Sequence, residues 1–218
     1  MKIDFHIHTR YSPDSMIKPE DLARKAEKLG IIPSVTDHWS IGCHARMRSL
    51  CAEFIPGEEI LTDRGDLIGL YVSELIPKGT PFLEALDRIR EQGGLAYLPH
   101  MYDYGRSGAH AGDEEAAKVD IIEVFNARCL KKEYNEKAKA FAEKHSKLKA
   151  AGSDSHFLFE FGSTYTELPD FDIEDPKALL RALRSAKLVT KKAPFFVRGT
   201  TTLLMLAKKV SGGTPKPI

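Results

Sequence analysis

Asp4, His6 and His8 fall within five residues of one another, in the run Asp4-Phe5-His6-Ile7-His8. The side chains of a strand alternate between its two faces. Read as a first strand, the run puts Ile3, Phe5 and Ile7 on one face and Asp4, His6 and His8 on the other. Two imidazoles and a carboxylate on one stiff segment suit a divalent cation, which takes neutral nitrogens and anionic oxygens converging on one point.

Residues of the same kinds recur, each near the end of a predicted strand. Asp14 follows in the loop Tyr11-Ser12-Pro13-Asp14-Ser15, and Asp37-His38 ends the second strand. Glu58-Glu59 lies in the third, His100 follows the strand at 95–98, and Asp154 and His156 share a face of Gly152-Ser153-Asp154-Ser155-His156. Active sites of parallel α/β folds gather at the carboxyl ends of the strands, so these groups are expected at one rim. Five histidines and at least three carboxylates exceed one tetrahedral sphere, which implies two or three ions sharing carboxylates. Zinc, manganese or iron suits the set; magnesium or calcium alone would not favour so many imidazoles. Clustered cations bind an anionic oxyester, lower the pKa of a water and stabilise transition-state charge. Phosphate-ester hydrolysis is the chemistry that fits best.

The elements that must position these groups alternate along the chain. Strands are predicted at 2–7, 31–36, 54–61, 67–72, 95–98 and 119–125, with a further strand end at 149–152. Helices are predicted at 19–29, 81–92, 133–144, 176–185 and 201–210. Pro19 suits a first helical turn and Gly30 ends that helix. Phe82, Leu83, Leu86 and Ile89 recur at helical spacing before Gly93-Gly94 breaks the pattern. Repeated strand–helix–strand units imply a mainly parallel sheet, doubly wound or closed as a barrel. Residues 102–112, with three glycines, read as a mobile loop, and 211–218 as a loose tail. No compositional break demands a second domain, so 1–210 reads as one.

The 218 residues can bury a substantial core, and 42% apolar with 29% charged content is that of a soluble globular protein. The formal net charge is +1, so bulk electrostatics lend no support to a nucleic-acid partner. Cys43, Cys51 and Cys129 form no CxxC pair, and no targeting peptide is evident; both fit a reducing cytoplasm. No apolar run approaches the ~20 residues that span a bilayer.

Taken together, Asp4-Phe5-His6-Ile7-His8-Thr9, Thr36-Asp37-His38, Gly57-Glu58-Glu59, Pro99-His100 and Gly152-Ser153-Asp154-Ser155-His156 resemble the motifs of the polymerase and histidinol phosphatase (PHP) domain family. They occur in the family's order and span most of the chain. The segment 59–100 also resembles a branch of small stand-alone members. The resemblance implies a distorted (β/α)7 TIM-like barrel, a centre of two or three metals and phosphoesterase activity. It implies His6, His8, Glu59 and Asp154 around one metal, Asp14, His38 and His156 around another, and His100 with Glu59 around a third. It also prefers Glu59 over Glu58, a choice that strand alternation leaves open. Two positions depart from the pattern. Asp66 stands where many members carry a histidine ligand and is counted here as a ligand to the third metal. Trp39 follows Asp37-His38 in place of a small polar residue.

The expected activity is hydrolysis of a small phosphomonoester or a nucleotide by a metal-activated hydroxide. His38, Asp154 or a metal-bound water would protonate the leaving group, so both residues are catalytic candidates. The alternatives are a nuclease or oligonucleotide-end phosphatase, and a metal-binding PHP regulatory module without catalysis. Asp4 and Asp37 are read as orienting ligand histidines. Arg106 and Arg128 are placed to grip phosphate, and Trp39 to stack on a ring of the substrate. Glu123 and Asn126, after an apolar run, are expected to face the same rim. His44, His110 and His145 have no motif around them.

Overall fold

The computed structural model describes residues 1–50, 52–104, 111–201 and 203. Arg106, His110, most of the loop expected at 102–112 and the tail at 211–218 lie outside them, as does most of the helix expected at 201–210.

The chain begins with β1 (Lys2–Ile7), α1 (Pro19–Leu29), β2 (Ile32–His38) and α2 (Cys43–Ser49). A hairpin of β3 (Ile55–Thr62) and β4 (Gly65–Leu70) precedes α3 (Phe82–Glu91) and β5 (Leu95–Leu98). There follow α4 (Asp113–Ala116), β6 (Ile121–Asn126), α5 (Lys132–Lys144) and β7 (Leu148–Gly152), then β8 (Tyr165–Glu167), α6 (Pro176–Ala182) and β9 (Lys187–Val189). Pro19 does start α1, and Gly30 ends it in the left-handed conformation that glycine adopts without strain.

The sheet runs β7-β6-β5-β4-β3-β2-β1-β8-β9. β1, β2 and β3 are mutually parallel, as are β5, β6 and β7; β4 is antiparallel to both of its neighbours. The residues after β7 then return to β1. Asp154 N donates to His6 O at 2.8 Å, and His8 N donates to Ser155 O at 3.0 Å. This seam closes a seven-stranded α/β barrel of the TIM-like PHP type, distorted by the reversed β4. β8 takes the free edge at the start of β1, opposite Lys2 and Ile3, where the seam does not reach.

Strand alternation accounts for what fills the barrel. Ile55 and Glu59 share one face of β3, and Ile121 and Glu123 share one face of β6. Ile3, Phe5, Ile32, Ile55, Ile68, Tyr97, Ile121 and Ala150 pack together as an apolar floor. The same inward faces become acidic or imidazole-bearing toward the other end. The opposite faces, including Ile60, Leu98, Ile122 and Val124, pack against residues of α3 and α5.

β1 departs from the expected alternation. Ile3 and Phe5 lie in the floor cluster, whereas Ile7 packs with Leu22, Met47 and Val35 on the side of α1 and α2. The register of β1 against β2 shifts between Asp4 and Ile7. A bulge inserts one residue and re-aims everything after it. Phe5 and His6 are thereby both turned into the barrel.

Candidate metal centre

The polar cluster sits at the carboxyl ends of the parallel strands, above the apolar floor. His6, His8, Glu59 and Asp154 are completely buried. His6 Nε2 and His8 Nε2 are 3.0 Å apart. Glu59 Oε2 lies 3.4 Å from the first and 3.2 Å from the second. Asp154 Oδ1 lies 3.8 Å and 3.4 Å from them.

Hydrogen bonding fixes which nitrogens carry protons. His6 Nδ1 meets the Glu123 carboxylate at 3.0 Å, so it is the N–H. His8 Nδ1 meets Ser12 Oγ at 3.2 Å. The single Ser12 hydroxyl proton is donated to Asp37 Oδ1 at 2.7 Å, so Ser12 accepts from His8. Both Nε2 atoms therefore present lone pairs to each other and to two carboxylates. Such an arrangement is repulsive unless positive charge stands in the middle. Ligand atoms about 2.0–2.2 Å from a tetrahedral ion are themselves about 3.3–3.6 Å apart, the mean spacing found here. Burial opposes a charge on His6, yet Asp154, Glu59 and Glu123 outweigh it and hold its pKa well above the ordinary imidazole value, so that without an ion a proton on Nε2 would take the place of the missing positive charge. Burial would likewise raise Glu59, but His38 and His6 hold it well below the usual carboxylate range. The residues present thus fit a divalent cation.

Asp14, His38 and His156 form the adjoining group. His156 Nδ1 donates to the carbonyl of Asp154 at 2.8 Å, which leaves its Nε2 lone pair 3.0 Å from Asp14 Oδ2. His38 Nε2 is 3.5 Å from the same oxygen, and His38 Nδ1 is 3.1 Å from Glu59 Oε2. Asp14 Oδ1 is buried with no hydrogen-bond partner among the described residues. On the far side His100 Nε2 lies 3.0 Å from Glu59 Oε1, and ligand atoms of Glu59, Asp66 and His100 lie within 4.8 Å of one another. Glu59 touches all three groups, as a bridging carboxylate must. Its neighbour Glu58 points away, accepting from Ile76 N at 2.9 Å on the other face of β3.

Trp39, His100 and Asp154 have φ of 51°, 30° and 54°. Left-handed backbone at non-glycine residues is costly and persists where the surroundings over-determine it. Here it lies where strands end and side chains are turned into the cluster.

The structure places the supporting residues more specifically than the sequence does. Asp37 does act on a histidine, through Ser12, and also accepts from Thr9 N and Thr9 Oγ1, each at 2.6 Å. Among the described residues, Asp4 reaches no imidazole. Its Oδ1 accepts from Ser153 N at 2.9 Å and pins the seam, and burial raises its carboxyl to about 7. The group that orients His6 is Glu123. Arg128 is buried and faces Glu160, with Nε and Nη2 at 2.9 and 3.3 Å from its two oxygens. That carboxylate also accepts from His156 N and Phe157 N, so Arg128 is tied into the scaffold rather than extended toward an anion. Trp39 lies at the rim with its ring 5.6 Å from that of His38, and Lys78 Nζ is 3.9 Å from the centre of its ring. Sequence reasoning missed Tyr97, Ser12 and Glu160. The one available signal for Glu123 was a lone carboxylate inside an apolar strand.

Among the described residues, no helix is long and apolar enough to cross a membrane. Residues 132–188 match the PHP-associated family model. The chain is 40% identical to the uncharacterized protein MJ0417 of Methanocaldococcus jannaschii over 186 residues, covering 82% of this chain and 75% of that one. Among solved structures, it resembles a two-domain protein of Bacteroides vulgatus that contains a predicted PHP-like metal-dependent phosphoesterase. The TM-score is 0.67 at 18% identity, covering 93% of this chain and 69% of the other. It also resembles PsfC of Pseudomonas syringae, with a TM-score of 0.63 at 17% identity over 96% and 98% of the two chains. At these identities the two structures speak for the fold alone.

Proposed function

The chain belongs to the PHP domain family, and from that premise we propose that it is a metal-dependent phosphoesterase acting on a small phosphomonoester or a nucleotide. The observation that carries the reading is the facing pair of His6 and His8 lone pairs, 3.0 Å apart and closed in by Glu59 and Asp154. In this reading His6, His8, Glu59 and Asp154 hold one ion, and Asp14, His38 and His156 hold a second. His100 and Asp66 share Glu59 around a third. Zinc, manganese or iron suits the mixed nitrogen and oxygen donors. Divalent ions held there would neutralise phosphate oxygens and lower the pKa of water.

His6, His8 and Glu59 have no exposed side-chain surface, whereas 17% of the His38 side chain is accessible. His38 is therefore the group at the open end, and the leaving oxygen would lie beside it; with its two nitrogens turned to Asp14 and Glu59, His38 serves there as a ligand and water at the rim would supply the proton. Trp39 beside it would meet the leaving group. The same reading places the protein in the cytoplasm, where the buried Cys43 and Cys129 thiols would remain reduced.

The test is metal analysis of protein purified without chelator, paired with a phosphoester panel running from a chromogenic monoester to nucleotides. Phosphate release that depends on bound metal supports the proposal. Metal-loaded protein that releases phosphate from no member of the panel sinks it.

A further inference from the structure

We propose that Glu123 is a positioning residue that couples two of the three metal-binding groups through a single carboxylate. The inference rests on the metal-centre reading above. Both Glu123 oxygens are saturated by donors. Oε1 accepts from His6 Nδ1 at 3.0 Å and from Tyr97 OH at 2.9 Å. Oε2 accepts from His100 N at 2.8 Å and from Asn126 Nδ2 at 2.9 Å. Asn126 Nδ2 also donates to Asp154 Oδ2 at 3.2 Å. An ionised carboxylate offers about four lone-pair sites, and four donors fill them. Glu123 therefore holds ligands and is not one itself.

Its contacts divide the site unevenly. Through His6 and, by way of Asn126, Asp154, it governs the first group. Through the backbone of His100, held at φ 30°, it governs the ligand that faces Glu59 from the other side. None of the four donors belongs to Asp14, His38 or His156. The charge behind His6 Nδ1 also makes Nε2 a stronger donor to a cation, as carboxylates behind metal-bound imidazoles do. The two groups it serves should thus rise and fall together, while the Asp14, His38 and His156 group stands apart.

Cobalt(II) titration of the full chain, followed by calorimetry and visible absorption, tests this without reference to turnover. Glu123→Gln keeps the shape but turns an amide NH2 toward a donor. Cobalt equivalents served by His6 and His100 should weaken by roughly 10–100-fold. One class of equivalent should keep its wild-type affinity within a few-fold. Asn126→Ala removes the link to Asp154 and one of the two donors on Glu123 Oε2 but leaves His6 and His100 bonded to Glu123, so it should weaken chiefly the class that Asp154 serves and carries the test should Glu123→Gln fail to fold. Uniform weakening of every class, or no weakening in either variant, overturns the inference while leaving the metal reading intact. Wild-type protein that takes up no cobalt overturns both.

Discussion

Gly152 and Glu123 face each other so closely that a side chain on the first would collide with the second. A Cβ built on Gly152 would overlap Glu123 Oε1 and press on His6 Cβ. β7 passes bare backbone along the wall of the barrel at this point, and the space a methyl group would fill belongs to the carboxylate behind His6.

Gly152→Ala should therefore disturb the site through a residue that carries no chemistry. Forcing a methyl group into a packed interior costs about 1–3 kcal/mol. The measurements are melting temperature and bound metal together. Both should fall, and metal content at the wild-type level would show that Glu123 moves aside freely.

Glu59 meets imidazoles of all three groups, so Glu59→Gln should be the most damaging isosteric change. Asp154→Asn should follow it closely. We expect kcat to fall by at least ~100-fold in each, as when a principal electrostatic stabiliser is removed, with the barrel still folded by circular dichroism. Activity within a few-fold of wild type would mean that the centre lies elsewhere.

Removing metal should loosen the protein as well as silence it. An ion bound only by the folded state stabilises it by RT ln(1 + [L]/Kd), about 2.7 kcal/mol at one hundred times Kd. Scanning calorimetry before and after chelation should show a lower midpoint for the stripped protein, restored by manganese or zinc. Elemental analysis should give about two or three ions per chain. A reproducible one or fewer after reconstitution would contradict the multinuclear reading.

Trp39 should govern choice among substrates more than rate. Trp39→Ala should lose up to ~1–3 kcal/mol for substrates with a ring to stack and little for a small aliphatic phosphate. Steady-state kinetics on both kinds decide it. Equal losses with a lower melting temperature would mean that the indole serves packing.

Glu58, on the outer face of β3, offers a pH test away from the cluster. Burial raises its carboxyl from 4.5 to about 7, and its Oε1 has no hydrogen-bond partner among the described residues. The folded state then holds this proton more tightly than the unfolded chain. Stability from this group is intact below about 4.5 and is lost as pH climbs to about 7. Glu58→Gln can still accept from Ile76 N but has no proton to lose. Its melting temperature should match wild type near pH 4.5 and exceed it at pH 8, by on the order of a few kcal/mol in stability. A constant difference across that range would refute the shift.

The sequence makes the cluster legible because His6, His38, Glu59, His100 and Asp154 stand at or near strand ends, where periodicity and turn residues are easiest to read. Lys2–Ile7 emerges with its own boundaries. The reversal of β4 is less visible, since a five-residue turn signals a hairpin without telling how its strands join a barrel. The β1 bulge leaves no local mark, so strict alternation misplaces Ile7. Arg128 looks like a rim cation until Glu160, 32 residues later in the chain, is brought against it. Glu123 is legible as a residue facing the rim, but not as the partner of His6. Its strand reads as core, and it takes the fold to show that His6, 117 residues away, waits on the other side. The three-residue strands β8 and β9 are too short to carry a pattern.

The seam between His6 and Asp154 also bears on how the molecule comes into being. It is among the longest-range contacts in the chain, and contacts of high sequence separation are entropically costly to close and tend to form late. During synthesis His6, His8, Asp14, His38 and Glu59 leave the ribosome well before Asp154 and His156 exist. An ion captured by the finished barrel would staple the first strand to the last parallel one. Metal supply would then set how many chains complete their fold, and not only how fast the completed ones turn over.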